Sequence, residues 1–429
     1  MVDLIALSLF AWLNIWGQPQ NELKPLEFFP WHKTAIFMIP EIKQDAVSED
    51  IVRAYLEDLD KRNIINNSQG VWIQSGWNTL ATKQGKMPLP AASLTKIATT
   101  LAALDKWGSK HQFATNIYST GKIERGVVTG DLIVEGNGDP LFVWEEAIAL
   151  GNALNELGIR KIEGDLLITD RFYMNYQHNS KKAGELLKQG LDFNLWQSEI
   201  TKQYLQMPAG TPQPEIAIAR QVQSIKDIPA SARLLITHQS LPLGEVLRQM
   251  NIYSNNKMAQ MLADSLGGAK EVAKSSADIA NFPPEEIELI NGSGLGEANR
   301  ISPRAVCQML MAIDRLLKND SLAATDLFPT AGRDLVGTVQ NRSLPTGTTV
   351  KTGTLDNVSA LAGVIPTKDK GNVYFSIINY GRQYQYFRQQ QDWLLNELVA
   401  GWELMPHDFG LANNQDWFLG DPRRNVVVR

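Results

Sequence analysis

Ser93 and Lys96 stand three residues apart at the start of a strongly apolar helical run. Residues at this spacing share one face of a helix, so the serine hydroxyl and the lysine amine can meet. A serine hydroxyl is a useful nucleophile only when a base removes its proton. Lysine can be that base if burial and a second cation lower its pKa well below about 10.4. The pair predicts a nucleophile and its base, although a capping serine beside a solvated lysine has the same spacing.

A second string, Ser254-Asn255-Asn256, lies between two helical runs. The hydroxyl of Ser254 could pass a proton onward, and the side chain of Asn256 could hold the oxygen of a substrate amide. Taken alone, the string is also typical of a polar turn between helices. Its interest lies in its position between the other two strings.

A third string, Lys351-Thr352-Gly353-Thr354, lies on a run that reads as a strand. Lys351 supplies the second cation and Thr352 a hydroxyl donor, and both suit a substrate carboxylate. Gly353 would let a substrate backbone lie close along the strand, as in strand addition. The three strings thus follow one another in chain order, each in the element that its chemistry needs.

Apolar periodicity predicts the elements that must position these strings. The residues from 92 to 107 predict a helix that ends at Gly108. Three strands joined by short turns, 348–354, 359–364 and 372–380, predict an antiparallel meander covered by apolar helices. Further helices are predicted at 49–62, 144–157, 243–250, 258–266 and about 386–404, and further strands at 71–75, 131–134 and 165–168, whereas 175–230 is polar and weakly periodic.

Composition excludes several classes of protein. The 429 residues, 44% hydrophobic and 20% charged, indicate a globular chain of two or three domains. A net charge of −5 without a basic stripe argues against a nucleic-acid partner. Cys307 is the only cysteine, so an internal disulfide and a cysteine-based zinc site are excluded, and its apolar surroundings predict burial. The five histidines form no His-Glu-x-x-His pair, so we expect no metal or cofactor.

The ordered set Ser-x-x-Lys, Ser-x-Asn and Lys-Thr-Gly resembles the signature of penicillin-binding proteins and β-lactamases. Within that group the chain resembles the class C low-molecular-mass penicillin-binding proteins, which are D-alanyl-D-alanine carboxypeptidases/endopeptidases. Asn291-Gly-Ser-Gly-Leu is similar to an Asp-Gly-Ser-Gly-Leu string of that family, with Asn291 and Gly296 departing from the usual pattern. Further similar strings are 90–96, 130–140, 250–256, 337–342 and 351–363.

The resemblance implies an α/β (α+β) fold of the penicillin-binding/β-lactamase-like transpeptidase type. This fold has an antiparallel sheet covered by helices, an all-helical subdomain and, here, a smaller inserted domain. The stretch between Ser93 and Ser254 is longer than a plain β-lactamase needs but short for two inserted domains, which predicts one reduced insertion. We expect an N-terminal apolar segment at 1–30, the peptidase domain at 31–117 and 236–405, the inserted domain at 118–235 and a tail at 406–429.

The resemblance also implies the chemistry. Ser93 would attack the carbonyl between the two terminal D-alanines of a peptidoglycan stem peptide, and water would then hydrolyse the acyl-enzyme. A peptide cross-link would be cleaved in the same way, and β-lactams would trap the serine as covalent inhibitors. The expected catalytic residues are Ser93, Lys96, Ser254, Asn256 and Lys351.

Substrate binding is expected from Thr352, Gly353 and Thr354, with the backbone N–H groups of Ser93 and Thr354 holding the oxyanion. Two alternatives stay open. A β-lactamase is disfavoured by the long insertion, and a non-catalytic wall-binding scaffold by the complete set of site residues. Ser293 lies between two glycines without the Gly-x-Ser-x-Gly spacing of a nucleophile elbow, so we expect it in an ordered loop near the cleft.

The expected location is the periplasm or the cell envelope, where the substrate lies. Residues Leu4 to Trp16 are mostly apolar, too few to span a membrane, and similar in length to a signal-peptide core. Asp3, however, stands where a signal carries lysine or arginine, and the first basic residue is Lys24. A secretion signal or anchor, with membrane association through this segment, and a helix packed on the domain both remain open.

Overall fold

A computed structural model describes residues 45–64, 66–406 and 417–428. Helices and strands cover most of these residues. The predicted segment 1–30 lies outside these residues. The α-helices are α1 Ala46–Asp60, α2 Thr95–Trp107, α3 Trp144–Glu156, α4 Ser180–Leu191, α5 Ser198–Tyr204, α6 Leu243–Ile252, α7 Asn256–Ser265, α8 Ala269–Ala280, α9 Pro303–Leu317, α10 Ala324–Leu327 and α11 Tyr384–Ala400.

The strands are β1 Gln69–Ser75, β2 Asn78–Lys83, β3 Leu89–Pro90, β4 Ala114–Ser119, β5 Ile123–Glu124, β6 Val127–Val128, β7 Leu132–Gly136, β8 Lys161–Ile162, β9 Leu166–Ile168, β10 Ala217–Ile218, β11 Val222–Ser224, β12 Arg233–Gln239, β13 Ile287–Glu288, β14 Arg300–Ile301, β15 Thr349–Leu355, β16 Val358–Pro366, β17 Asn372–Tyr380 and β18 Asn425–Val427. None of the helices in the described residues is both long and apolar enough to cross a membrane.

The largest antiparallel sheet has five strands in the order β15-β16-β17-β1-β2. The predicted meander is its first three strands, and β1 then joins β17 from the start of the chain. Strand β15 pairs with β16 alone in this sheet, in a register that sets Lys351 opposite Ala362. Beyond an isolated bridge between Thr349 and Thr330, the other edge of β15 pairs with no further strand among the described residues, and the turn that precedes α2 lies beside Gly353.

Helices cover both faces of this sheet. Helices α1 and α11 pack on one face around a core that includes Tyr55, Phe375 and Phe387. Helix α2 lies within the core on the other face, and each residue from Thr95 to Leu104 is buried. Because these ten residues are buried on all sides of the helix, water is kept away from their side chains, including the charged Lys96.

A second hydrophobic core is formed by residues between Ile117 and Ile236. It lies around a six-stranded sheet in the order β11-β9-β7-β4-β12-β18, and helices α3 and α4 contribute to it. We propose that this core is the inserted domain. The predicted boundaries of the inserted domain, 117/118 and 235/236, fall within strands β4 and β12. The exact limits of the domain stay a prediction.

Several details differ from the sequence prediction. The helix predicted from residue 92 begins as a 3-10 turn, Ala92–Leu94, and becomes α-helical at Thr95. The weakly periodic stretch 175–230 contains α4, which Asn179 caps by accepting from the Lys182 N–H. The C-terminal residues 425–427 add strand β18 to the inserted sheet. The predicted burial of Cys307 is confirmed.

Candidate active site

Ser93 lies in the 3-10 turn that leads into α2. The residue before it, Ala92, has φ of +46°, a left-handed conformation that non-glycine residues rarely adopt. Gly353 of β15 lies against this turn, because a Cβ added there would be 2.9 Å from the Ala91 carbonyl oxygen and 3.1 Å from the Ser93 nitrogen. The two backbone segments that carry the amides expected to hold an oxyanion are thus in contact.

The structure gives the glycine of the third string a physical reason in addition to the predicted one, which stays a prediction. We expected Gly353 to make room for a substrate backbone. In the structure its missing side chain makes room for Ala91 and Ser93 of the same chain. The close approach of a strand and a turn is what requires glycine here.

Lys96 is completely buried one helical turn beyond the serine. Its Nζ lies 3.0 Å from Ser93 Oγ, 2.7 Å from Asn256 Oδ1 and 2.7 Å from the carbonyl oxygen of Ser293. Ser93 and Lys96 therefore meet as their spacing predicted, and Asn256, expected to hold a substrate amide, contacts Lys96 as well. The carbonyl of Ser293 is a partner that the sequence did not indicate.

Burial lowers the pKa of Lys96 to about 7, because an ammonium ion without a nearby carboxylate is poorly solvated there. Of its three neighbours, the carbonyl of Ser293 and Oδ1 of Asn256 can only accept hydrogen bonds. The two hydrogens of a neutral amine satisfy these two oxygens. Its lone pair is then left for the hydroxyl hydrogen of Ser93, which is the arrangement that a general base requires.

Ser254 is positioned by the turn between α6 and α7. Asn255 caps α7, with its Oδ1 accepting from the N–H groups of Lys257 and Met258. Ser254 itself has φ of +52°. After Ala92, it is a second non-glycine residue of the site in the left-handed conformation. The middle residue of the string thus builds the turn, which leaves the side chains of Ser254 and Asn256 for the site.

Lys351 is 1% exposed and does not line the cleft. Its Nζ lies 3.0 Å from Ser254 Oγ and donates to the carbonyl of Thr352 at 2.8 Å. Burial, and secondly the charge of Lys96, lower its pKa well below the usual value. The predicted second cation is present, but its amine is directed at Ser254 rather than at the space where a substrate carboxylate would lie.

The loop 291–295 fixes the carbonyl that Lys96 contacts. Asn291 Oδ1 accepts from the N–H groups of Ser293, Gly294 and Leu295 and from the Ser293 hydroxyl. Its Nδ2 donates to the Leu295 carbonyl at 2.7 Å. An asparagine oxygen can accept these hydrogen bonds as a carboxylate oxygen would, which explains how the departure from the usual aspartate is accommodated. The expectation of an ordered loop near the cleft agrees with this geometry.

The cleft above Ser93 has a volume of about 390 Å³. Thr352 and Thr354 line it, as expected for substrate-binding residues. Two arginines, Arg342 and Arg388, line it as well, and sequence reasoning assigned neither of them a role. Its other lining residues are Ser93, Ser254, Asn256, Gly337, Thr338 and Asn341.

The model of the D-Ala-D-Ala carboxypeptidase 3 (S13) family matches residues 53–183 and 213–396. The chain belongs to this family. It is 25% identical over 384 residues to the D-alanyl-D-alanine carboxypeptidase DacB of Haemophilus influenzae, covering 66% of this chain and 79% of that protein. It is 23% identical over 450 residues to a D-alanyl-D-alanine carboxypeptidase of an Actinomadura species, covering 80% and 81%.

A solved structure of a predatory endopeptidase from Bdellovibrio bacteriovorus, acylated by penicillin G and in complex with an immunity protein, has the same fold. Its TM-score is 0.67 at 22% identity, over 79% of this chain and 94% of that one. The predicted fold class, family and enzyme class are confirmed by these matches. The roles of individual residues stay predictions.

Proposed function

We propose that this member of the family is a penicillin-sensitive serine D-Ala-D-Ala carboxypeptidase, with endopeptidase action on cross-links by the same chemistry. The observation that carries the proposal is the buried amine of Lys96, 3.0 Å from Ser93 Oγ, with its other two contacts made to oxygens that only accept. That arrangement can take a proton from the serine at neutral pH.

Acylation would begin with transfer of the Ser93 hydroxyl proton to Lys96. The bond from Ser93 Oγ to the carbonyl carbon forms, and the oxygen becomes an oxyanion held by the N–H groups of Ser93 and Thr354. Collapse of this intermediate breaks the C–N bond, and D-alanine leaves with a proton. Lys351 and Ser254, joined at 3.0 Å, are placed to deliver that proton.

Deacylation repeats the same steps with water as the nucleophile. The Ser254–Lys351 pair, which gave a proton to D-alanine, removes one from water, the hydroxide oxygen bonds to the ester carbon, and the bond to Ser93 Oγ breaks. Lys96 returns to Ser93 Oγ the proton that it received during acylation, and the shortened peptide leaves. A β-lactam would follow the first half of this route and remain as an ester on Ser93.

The family acts on cell-wall peptides, which places its substrate outside the cytoplasm. We propose a periplasmic or cell-envelope location for this chain, and membrane association through the apolar residues Leu4 to Trp16. Deletion of these residues should move the protein from the membrane fraction to the soluble fraction. An unchanged distribution would refute the association without affecting the enzymatic proposal.

The test of the function is intact-protein mass spectrometry after incubation with benzylpenicillin. We expect the wild type to gain the mass of one drug molecule and Ser93→Ala to gain nothing. Ser275→Ala, on α8 away from the cleft, is the matched control and should be labelled like the wild type. Release of D-alanine from a peptide that ends in D-Ala-D-Ala should follow the same pattern.

The other outcomes separate the alternatives. If no adduct accumulates while the drug is consumed, the chain is a β-lactamase. If no adduct forms, the drug stays intact and no D-alanine is released, the chain is a wall-binding scaffold. Labelling of Ser93→Ala would remove Ser93 from its role.

A further inference from the structure

The two arginines of the cleft differ in their ion pairs. Arg342 is 5% exposed, with its Nη2 2.6 Å from the Asp392 carboxylate, so its charge is neutralised. Arg388 is partly exposed, and no ion pair holds it within the part of the chain that the structure describes. The cleft beside Ser93 therefore contains one guanidinium whose charge is not compensated.

Arg388 is held at the strand that is expected to bind substrate. Its Nη2 donates to Thr354 Oγ1 at 2.9 Å, and its guanidinium carbon lies 5.7 Å from the centre of the Tyr384 ring. Thr352 and Thr354 are two residues apart on β15, so their side chains leave the same face of the strand. Two hydroxyl groups and a guanidinium thus converge beside Ser93.

This set of donors matches a carboxylate. The planar guanidinium has five N–H donors, and charge-assisted pairs with carboxylates are among the strongest hydrogen bonds in proteins. Lys351, the cation that the sequence suggested for this contact, is buried and already engaged with Ser254 and the Thr352 carbonyl. The free positive charge that a substrate can reach is on α11, not on β15.

We propose that Arg388 binds the terminal carboxylate of the peptide substrate, together with the hydroxyl groups of Thr352 and Thr354. This inference rests on the proposed function and adds a substrate-binding residue to it. Arg388 would thereby favour peptides that end in a free acid at the residue that leaves.

The test compares two peptides that end in D-Ala-D-Ala, one with a free carboxylate and one with a carboxamide. For the wild type we expect a higher kcat/KM with the acid. Arg388→Gln keeps a donor for Thr354 but removes the charge, so kcat/KM for the acid should fall about 10- to 100-fold and that for the amide less than about twofold. Arg388→Lys should retain part of the preference, and Arg382→Gln, exposed just before α11, all of it.

Two results would overturn the inference. The acid preference could persist in Arg388→Gln, or both peptides could lose the same factor, which would make Arg388 a residue that only orients Thr354. Correct folding of each variant is shown by its circular dichroism spectrum and by an unchanged midpoint of urea unfolding. Failure of the proposed function looks different, since the wild type itself would then form no adduct and release no D-alanine.

Discussion

Acylation of Ser93 should slow steeply as the pH falls through about 7. Lysine accepts a proton only in its neutral form, and burial lowers the pKa of Lys96 to about 7. The neutral fraction is then about nine-tenths at about pH 8 and about one-hundredth at about pH 5. The second-order rate constant for acylation by benzylpenicillin, which reports the free enzyme, should therefore fall about 90-fold between these pH values.

The assay is the rate of adduct formation, measured by intact mass at a series of pH values. Circular dichroism at each pH establishes that the protein stays folded. A second buried group needs its own control, since burial raises the pKa of Asp139 in the inserted part to about 7 as well. Asp139→Asn should leave the midpoint of the acylation profile where it was, because Asp139 does not line the cleft.

Three results would refute this reasoning. A rate that stays constant from about pH 5 to about pH 8 would mean that no group with a pKa near 7 controls the proton transfer. A midpoint near the ordinary lysine value of about 10.4 would mean that Lys96 is solvated and charged at neutral pH. A midpoint that moves in Asp139→Asn would assign the profile to the inserted part.

Three further predictions concern the turn that carries Ser93, the loop beside Lys96 and a buried ion pair. Gly353→Ala should slow acylation at least about tenfold, since the added Cβ would press on the turn that carries Ser93. Gly244→Ala, whose Cβ would meet nothing nearer than 3.5 Å, should leave the acylation rate unchanged. Equal rates in the two variants would contradict the close packing at Gly353. Asn291→Ala should lower the free energy of unfolding in urea by about 1–3 kcal/mol, because it leaves the N–H donors of the loop unsatisfied. Asn291→Asp should lower it less. A larger loss in Asn291→Asp than in Asn291→Ala would show that the amide N–H of Asn291 matters most. Arg424→Met should lower the free energy of unfolding by about 3–5 kcal/mol, because the buried Glu146 loses its partner. Arg53→Met, whose ion pair with Asp50 is exposed on both sides, should lower it by about 1 kcal/mol or less. Equal losses would refute a special role for the buried pair.

The short-range pattern of the chain was enough to predict much of the fold. The strands of the meander and helix α2 come from hydrophobic periodicity, which depends only on neighbours in sequence. Helix α4 was not predicted because its polar residues outnumber the apolar ones that carry the signal, and its place is set by packing against the inserted sheet. Strand β18 is only three residues long and forms because β12 offers a free edge.

The identity of the reacting groups was also determined by the sequence, because residue type and order define which chemistry is available. The spacing and order of Ser93, Lys96 and Ser254 are enough to mark them as candidates. What the tertiary structure decided is the pKa of these groups and the hydrogen bonds that they make. Burial of α2 makes the amine of Lys96 a base near neutral pH, and the loop of Ser293 occupies one of its hydrogens.

The tertiary structure also decided which cations line the cleft. Lys351 lies on the expected strand, but its side chain is buried toward Ser254, whereas Arg388 reaches the cleft from a helix late in the chain. No local pattern marks Arg388, because its proposed role depends on the contact between its side chain on α11 and Thr354 of β15. Sequence fixes which groups exist and their local spacing; desolvation and contacts between distant segments are properties of the folded chain alone.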